Sequence, residues 1–261
     1  MSAVSTAIMR ALDILEAIAE RERGLTTSEV SRRLGIPKSS ASYILHTLEQ
    51  RGYLKRQAST RRYQLSLKLL NITRHLLADL DIRELARPTL RELVDQSGLT
   101  AHLAVLDQGE AVYIEKVEAP GFVRMNTWVG RRLPVHSTSV GKALVAYLDE
   151  ATVKALLRER GLKKQTPKTI ASCAEFMQEL ARVREHGFAI DDEENSLGVR
   201  CVAAPVFDAT GHVVASIGVT GTTTQNDLRR LPRTAALVKE AARKLSQQLG
   251  YRPPRRAASP F

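Results

Sequence analysis

Three groups of side chains in this chain have the types and spacing to do chemistry. The first is Ser137-Thr138-Ser139, directly before the run Val140 to Leu148. Hydroxyls and free amides at a helix start make an anion site, because the first four N–H groups have no intrahelical partner. Plain capping by one of the hydroxyls is at least as common a use of the same residues. The second is Asp191-Asp192-Glu193-Glu194, with Cys201 on a strand-like run shortly after. Alone, four carboxylates in a row read as a solvated acidic loop or, less often, a metal site, and the cysteine as a small buried hydrophobe. The third is polar and carries no acidic residue: Lys38, Ser39, Ser40, Ser42, Tyr43, His46 and Thr47. Hydroxyls and aromatics with a lysine can reach base edges and phosphates without repelling a polyanion.

The third group is positioned by Thr26 to Gly52. Thr26 and Glu29 have capping-box spacing, so a helix is expected to start there and stop at Gly35. Pro37 suits the first turn of a second helix. In it Ala41, Ile44, Leu45 and Leu48 form one apolar stripe, which turns Ser39, Tyr43, His46 and Gln50 outward. Helix, short turn and donor-rich helix is the arrangement that enters a major groove, with an ordinary helical hairpin as the bland alternative. Two short extended runs follow, carrying Lys55, Arg56, Arg61 and Arg62, and resemble the wing of a winged helix-turn-helix. Upstream, Ile8, Ala11, Leu12, Leu15, Ile18 and Ala19 make an amphipathic helix that would brace the hairpin.

Charge supports the division. Residues 1–70 hold 12 Lys/Arg against 6 Asp/Glu, whereas residues 71–250 hold 24 against 22. A basic nucleic-acid module joined to a near-neutral domain fits that asymmetry. Hydrophobic residues at 43% and charged ones at 26% give a soluble globular composition. No apolar run approaches the roughly 18 residues that cross a membrane, and MSAVSTAIMR lacks a secretory pattern, so a cytoplasmic address is expected and no membrane. Cys173 and Cys201 have neither metal-site spacing nor the density of a disulfide framework, so neither a metal nor a cofactor is expected.

After the wing, Leu65, Leu69, Ile72 and Leu76 are spaced as a seam for a partner helix, with Leu70 and Leu77 off it. A seam within one chain is the equal alternative. A further helix over 81–97 is interrupted by Pro88, where a kink or fresh start is expected. The period then turns strand-like: 100–106 and 111–117 flank a turn, and 122–128 reads as a third strand. Helices follow at Ser139, 150–160 and 172–186, then strands from Phe188 and over 199–207 and 212–220, then a helix from Asp227 to Leu249. The tail 251–261 reads as disordered and basic. The fold class is α+β with an antiparallel sheet.

Leu34-Gly35-Ile36-Pro37-Lys38-Ser39-Ser40, the run Arg132-Leu133-Pro134-Val135-His136-Ser137-Thr138-Ser139-Val140-Gly141-Lys142-Ala143-Leu144, and Asp191-Asp192-Glu193-Glu194 followed by Gly198 to Val206 carry a resemblance. Over residues 5–250 the chain resembles the isocitrate-lyase-regulator (IclR) family of bacterial transcription factors. That implies an N-terminal winged helix-turn-helix (1–66), a linker helix (67–80), a C-terminal GAF-like effector domain (81–250) and the tail 251–261. It implies double-stranded DNA with a near-palindromic operator as one partner, a small-molecule effector, often a carboxylate, as another, and a homodimer or homotetramer. Residues matching the family's effector pocket are Met125, Leu133, Ser139, Val140, Asp191, Cys201, Gly218 and Thr220. Gly218 departs from members with a small hydroxyl there and removes one donor. Two other classes remain open from the residues: an enzyme, or a metal or redox sensor, using His136, Asp191 and Cys201.

Overall fold

The computed structural model describes residues 5–69, 71–72, 81–122 and 124–252. Two compact units divide the chain, Met1–Leu80 and Asp81–Phe261.

In the first unit the order is α1 (Thr6–Ala19), α2 (Thr27–Leu34), α3 (Lys38–Gln50), β1 (Leu54–Arg56) and β2 (Tyr63–Leu65). The capping box forms in full: Thr26 Oγ1 accepts from Glu29 N at 3.3 Å, and Thr26 N donates to Glu29 Oε2 at 2.7 Å. Gly35 ends α2 at φ 63°, the left-handed conformation that a Cβ would disfavour. Pro37 sits one position earlier than expected, as the residue before α3, where its missing N–H still costs no bond. Ile14, Ile18, Val30, Ala41, Leu45, Leu54 and Tyr63 close one small core. The core takes α1 only from Ile14 onward. Of the residues expected to brace the hairpin, Ile8 and Leu12 are instead more than half exposed.

The second unit carries α4 (Asp81–Ser97), β3 (Thr100–Asp107), β4 (Glu110–Val117), β5 (Arg132–Pro134), α5 (Ser139–Val145), α6 (Glu150–Arg160), α7 (Cys173–His186), β6 (Ala189–Asp192), β7 (Val199–Phe207), β8 (Val213–Thr222) and α8 (Leu231–Gln248). The sheet runs β5-β4-β3-β8-β7-β6, antiparallel at every pairing. Gln108 and Gly109, both at positive φ, make the two-residue turn between β3 and β4. Alternation puts Asp191, Cys201, Thr220, His102 and Tyr113 on one face, and α5 packs there, with Ser216 Oγ donating to Val140 O at 3.1 Å. α4 and α8 contact each other and the sheet.

Four expectations need correcting. Residues 122 and 124–128 are irregular, not a strand; the edge strand is β5, Arg132–Pro134. Pro88 lies within one continuous α4, so of the two expected outcomes the fresh start does not occur. The last helix begins at Leu231, because the Asp227 carboxylate takes the amides of Arg229 and Arg230 at 2.9 Å in a turn before it. Tyr251 is not part of a loose tail: its ring stacks on Phe207 at 4.9 Å. The remaining tail residues from 253, and Leu70, Leu76 and Leu77 of the expected seam, lie outside the described residues.

Candidate nucleic-acid interface and ligand cavity

α3 is held by Ala41 and Leu45, both buried, with Ile44 and Leu48 half-buried beside them. Its other side is open: Lys38, Ser39, Ser42, Tyr43, His46 and Thr47 are exposed and Ser40 half-buried, with Tyr43 at 76%. Thr47 donates its hydroxyl to Tyr43 O at 2.9 Å, so its free lone pairs accept. His46 Nδ1 lies 3.8 Å from Glu49 Oε2, an acidic neighbour that the helical projection had kept off this face.

The wing divides its cations between two jobs. Lys55, Arg56 and Arg61 are exposed, Arg56 over the Tyr63 ring at 5.5 Å. Arg62 is not offered to solvent in the same way. Its two Nη atoms bond the two Glu29 oxygens at 2.8 and 2.9 Å, and Nη1 also donates to Gly24 O at 2.8 Å. The Thr26 amide, the Arg62 guanidinium and the Thr26 hydroxyl pull the Glu29 carboxyl down to about 2. Arg62 therefore ties the wing to the start of α2.

In the second unit a cavity of about 260 Å³ opens over the sheet. It brings together Met125, Leu133, Ser139, Val140, Asp191, Cys201 and Thr220, seven of the eight expected lining residues. Gly218 is the exception. A Cβ there would meet Val202 O at 2.5 Å and Ala203 Cβ at 2.7 Å, so glycine lets β7 and β8 approach and no wall is missing a donor. Thr138, not Ser139, caps α5, its hydroxyl accepting from Gly141 N at 3.2 Å. That leaves the Ser139 hydroxyl for the cavity.

Asp191 is 2% exposed and pairs across strands with Cys201. Its Oδ1 accepts the amides of Glu194 at 2.8 Å and Asn195 at 3.2 Å. Burial pushes its carboxyl up to about 7, against those two amides, with Glu194 adding to the rise. Arg200 bonds the neighbouring Asp192 at 2.6 Å and not Asp191, because adjacent strand residues face opposite ways. Buried Lys142 reaches Glu194 at 2.6 Å, Ile190 O at 2.8 Å and Glu179 at 3.2 Å, holding the acidic loop against α5. Burial, then the Asp191 charge, drives the Cys201 thiol well above its ordinary value, so it is a poor thiolate nucleophile. His136 does not line the cavity; its Nε2 bonds Lys163 O at 3.0 Å. The three groups named for an enzyme or sensor are thus not assembled. Among the described residues no three His, Cys, Asp or Glu side chains cluster to hold a metal ion, and no helix is long and apolar enough to cross a membrane.

Sequence reading missed Tyr113, Asn126, Thr127, Arg131, Thr138, Asn195, Ser196 and Val199 in the lining. Arg131 carried a usable signal: a cation in the loop that leads into β5. Asn126 and Thr127 carried none, since the stretch 122–128 read as a strand.

Comparison with known proteins matches both units. The IclR helix-turn-helix domain matches residues 7–58, and the domain described as bacterial transcriptional regulator IclR C-terminal matches residues 74–247. The HTH-type transcriptional regulator XynR of Escherichia coli (strain K12) is 38% identical over 244 residues, covering 94% of this chain and 97% of its own. The transcriptional repressor IclR of the same strain is 31% identical over 245 residues, covering 93% and 89%. The crystal structure of Thermotoga maritima IclR superposes with a TM-score of 0.79 at 31% identity, covering 94% of this chain and 98% of that one. With a helix-turn-helix unit, an antiparallel-sheet unit enclosing a polar cavity, and both domain matches in order, the chain belongs to the IclR family of DNA-binding transcriptional regulators.

Proposed function

We propose that this regulator reads a near-palindromic operator through α3 and the wing, and that a small carboxylic acid in the cavity over the sheet changes its grip on that DNA. It works as a homodimer or homotetramer in the cytoplasm and without catalysis. The observation that supports this most is the cavity itself. It is small, polar, and built from Ser139 and Val140 at the start of α5 and Asp191, Cys201 and Thr220 on three neighbouring strands. The first amides of a helix and a neighbouring hydroxyl favour an oxyanion. Asp191, without a cation of its own, favours a ligand that also brings a hydroxyl or other donor.

On the DNA side, Ser39, Ser42, Tyr43, His46 and Thr47 present base-reading groups, while Lys38, Ser40, Lys55 and Arg61 suit phosphates. Arg62 acts one step back, by holding the wing. The test uses the full chain. Operators are selected from a random duplex pool, and a panel of carboxylic acids is screened by thermal shift, where ligand at about 100 times its dissociation constant adds roughly 2.7 kcal/mol. Ser139→Trp fills the cavity mouth and is expected to abolish the shift while leaving selection of the same operator intact. A shift of wild-type size in Ser139→Trp would place the ligand elsewhere.

A further inference from the structure

The loop before β5 brings two side-chain donors, Thr127 and Arg131, to the cavity. Arg131, just before β5, and Arg132, its first residue, are neighbours whose surroundings differ. Arg132 bonds Asp107 at 2.7 Å and Glu110 at 2.8 Å. Arg131 lines the cavity, and among the described residues no carboxylate comes within ion-pair distance of it. It gives one N–H to Asn126 O and rests over the Trp128 ring at 4.9 Å. A guanidinium has five N–H groups, so a fork remains for a carboxylate. The Arg131 backbone oxygen accepts from Tyr113 N at 3.1 Å, which puts the residue beside β4 at the floor of the cavity.

Thr127 is the second donor, and a buried histidine makes it one. His102 is fully buried, stacked on Tyr113 at 4.2 Å, and its Nε2 lies 2.8 Å from Thr127 Oγ1. Its Nδ1 is buried with no partner. Burial, then the charges of Lys116 and Arg131, hold this ring neutral at physiological pH, so it carries one N–H. An orphaned buried N–H is rarer than an orphaned lone pair, which puts the proton on Nε2, donating to Thr127. Thr127 then accepts from the histidine, and its own O–H is free toward the cavity it lines. Lys116 pins this loop from behind, its Nζ donating to Thr127 O at 2.6 Å and Met125 O at 3.3 Å.

Resting on the effector reading above, we propose that Arg131 and Thr127 complete the carboxylate seat that the first amides of α5 and the Ser139 hydroxyl open, so that the effector is a hydroxy acid with its carboxylate clamped among these groups and its hydroxyl at Asp191. Arg131, in the loop that leads into β5, and Asp191, on β6, line the same cavity. His102 is a positioning residue that orients the Thr127 hydroxyl.

The experiment titrates the full chain with glycolate, L-lactate, 3-hydroxybutyrate and D-gluconate, each beside its primary amide, by calorimetry. At least one acid binds wild type and its amide binds at least tenfold more weakly. Arg131→Gln weakens that acid by about 10- to 100-fold, Arg131→Lys recovers only part of the loss, and Thr127→Val weakens it by about tenfold with recovery in Thr127→Ser. Operator affinity without acid stays unchanged, which reports that each variant is folded. If Ser139→Trp abolishes binding of an acid that Arg131→Gln and Thr127→Val hold as tightly as wild type, the clamp is wrong and the effector site stands. If none of the acids binds wild type, the hydroxy-acid assignment falls. If an acid binds equally well in Ser139→Trp and in Arg131→Gln, the effector site falls with the clamp.

Discussion

Asp191 and Glu29 make opposite contributions to stability as pH changes. An acid whose folded value is raised binds its proton more tightly folded than unfolded. Asp191, moved from 3.8 to about 7, therefore supports the fold fully at low pH and withdraws that support as pH rises through 7. The upper bound is about 4 kcal/mol. Asp191→Asn keeps an oxygen for the Glu194 and Asn195 amides and cannot ionise. Its stability relative to wild type is expected to grow between pH 5 and pH 8; parallel melting curves would contradict this. Glu29 runs the other way: its pairing with Arg62 is present above 4.5 and fades as pH falls toward 2. Both side chains are about 30% exposed, so Arg62→Ala is expected to cost only about 1 kcal/mol, measured by urea unfolding. Arg61→Ala should leave stability alone and reduce the salt slope of DNA binding by about 1. If Arg62→Ala changed that slope and not stability, Arg62 would be a phosphate contact after all.

Elements were more legible in the sequence than side-chain partners. The helix-turn-helix followed from Thr26, Glu29, Gly35 and the stripe on α3, since capping and periodicity are local. The β3–β4 hairpin followed for the same reason. What stayed hidden depends on long-range placement: Arg62 on Glu29, Arg200 on Asp192, and Gly218 under β7 rather than in the wall. On α3, Tyr43 and His46 are expected to set operator preference, so changing either should cost about 1–3 kcal/mol on the selected operator and little on random DNA, read by anisotropy. Equal losses on both would make them phosphate contacts. α1 leaves Ile8, Met9 and Leu12 at least half exposed, as is Ile72 after the wing. An apolar stripe that no described residue covers fits the proposed subunit contact. Ile72→Lys or Leu12→Lys should dissociate the oligomer in analytical ultracentrifugation; unchanged mass with full operator affinity would return both residues to a role within one chain.

A basic first unit is followed by a near-neutral second one, which in the proposed function holds an acid. An effector acts only through its different affinities for states that bind DNA well and poorly, and the coupling is reciprocal. The net charge of +11 gives operator and random DNA alike a salt-dependent attraction, so the effector has to be read at one fixed salt concentration. The most direct measurement is the operator dissociation constant of wild type and Ser139→Trp, with and without a saturating acid shown to bind wild type. The expected result is a 5- to 150-fold change in wild type, matching roughly 1–3 kcal/mol of coupling, and none in Ser139→Trp. An acid that saturates the cavity and leaves wild-type operator affinity unchanged would contradict the account.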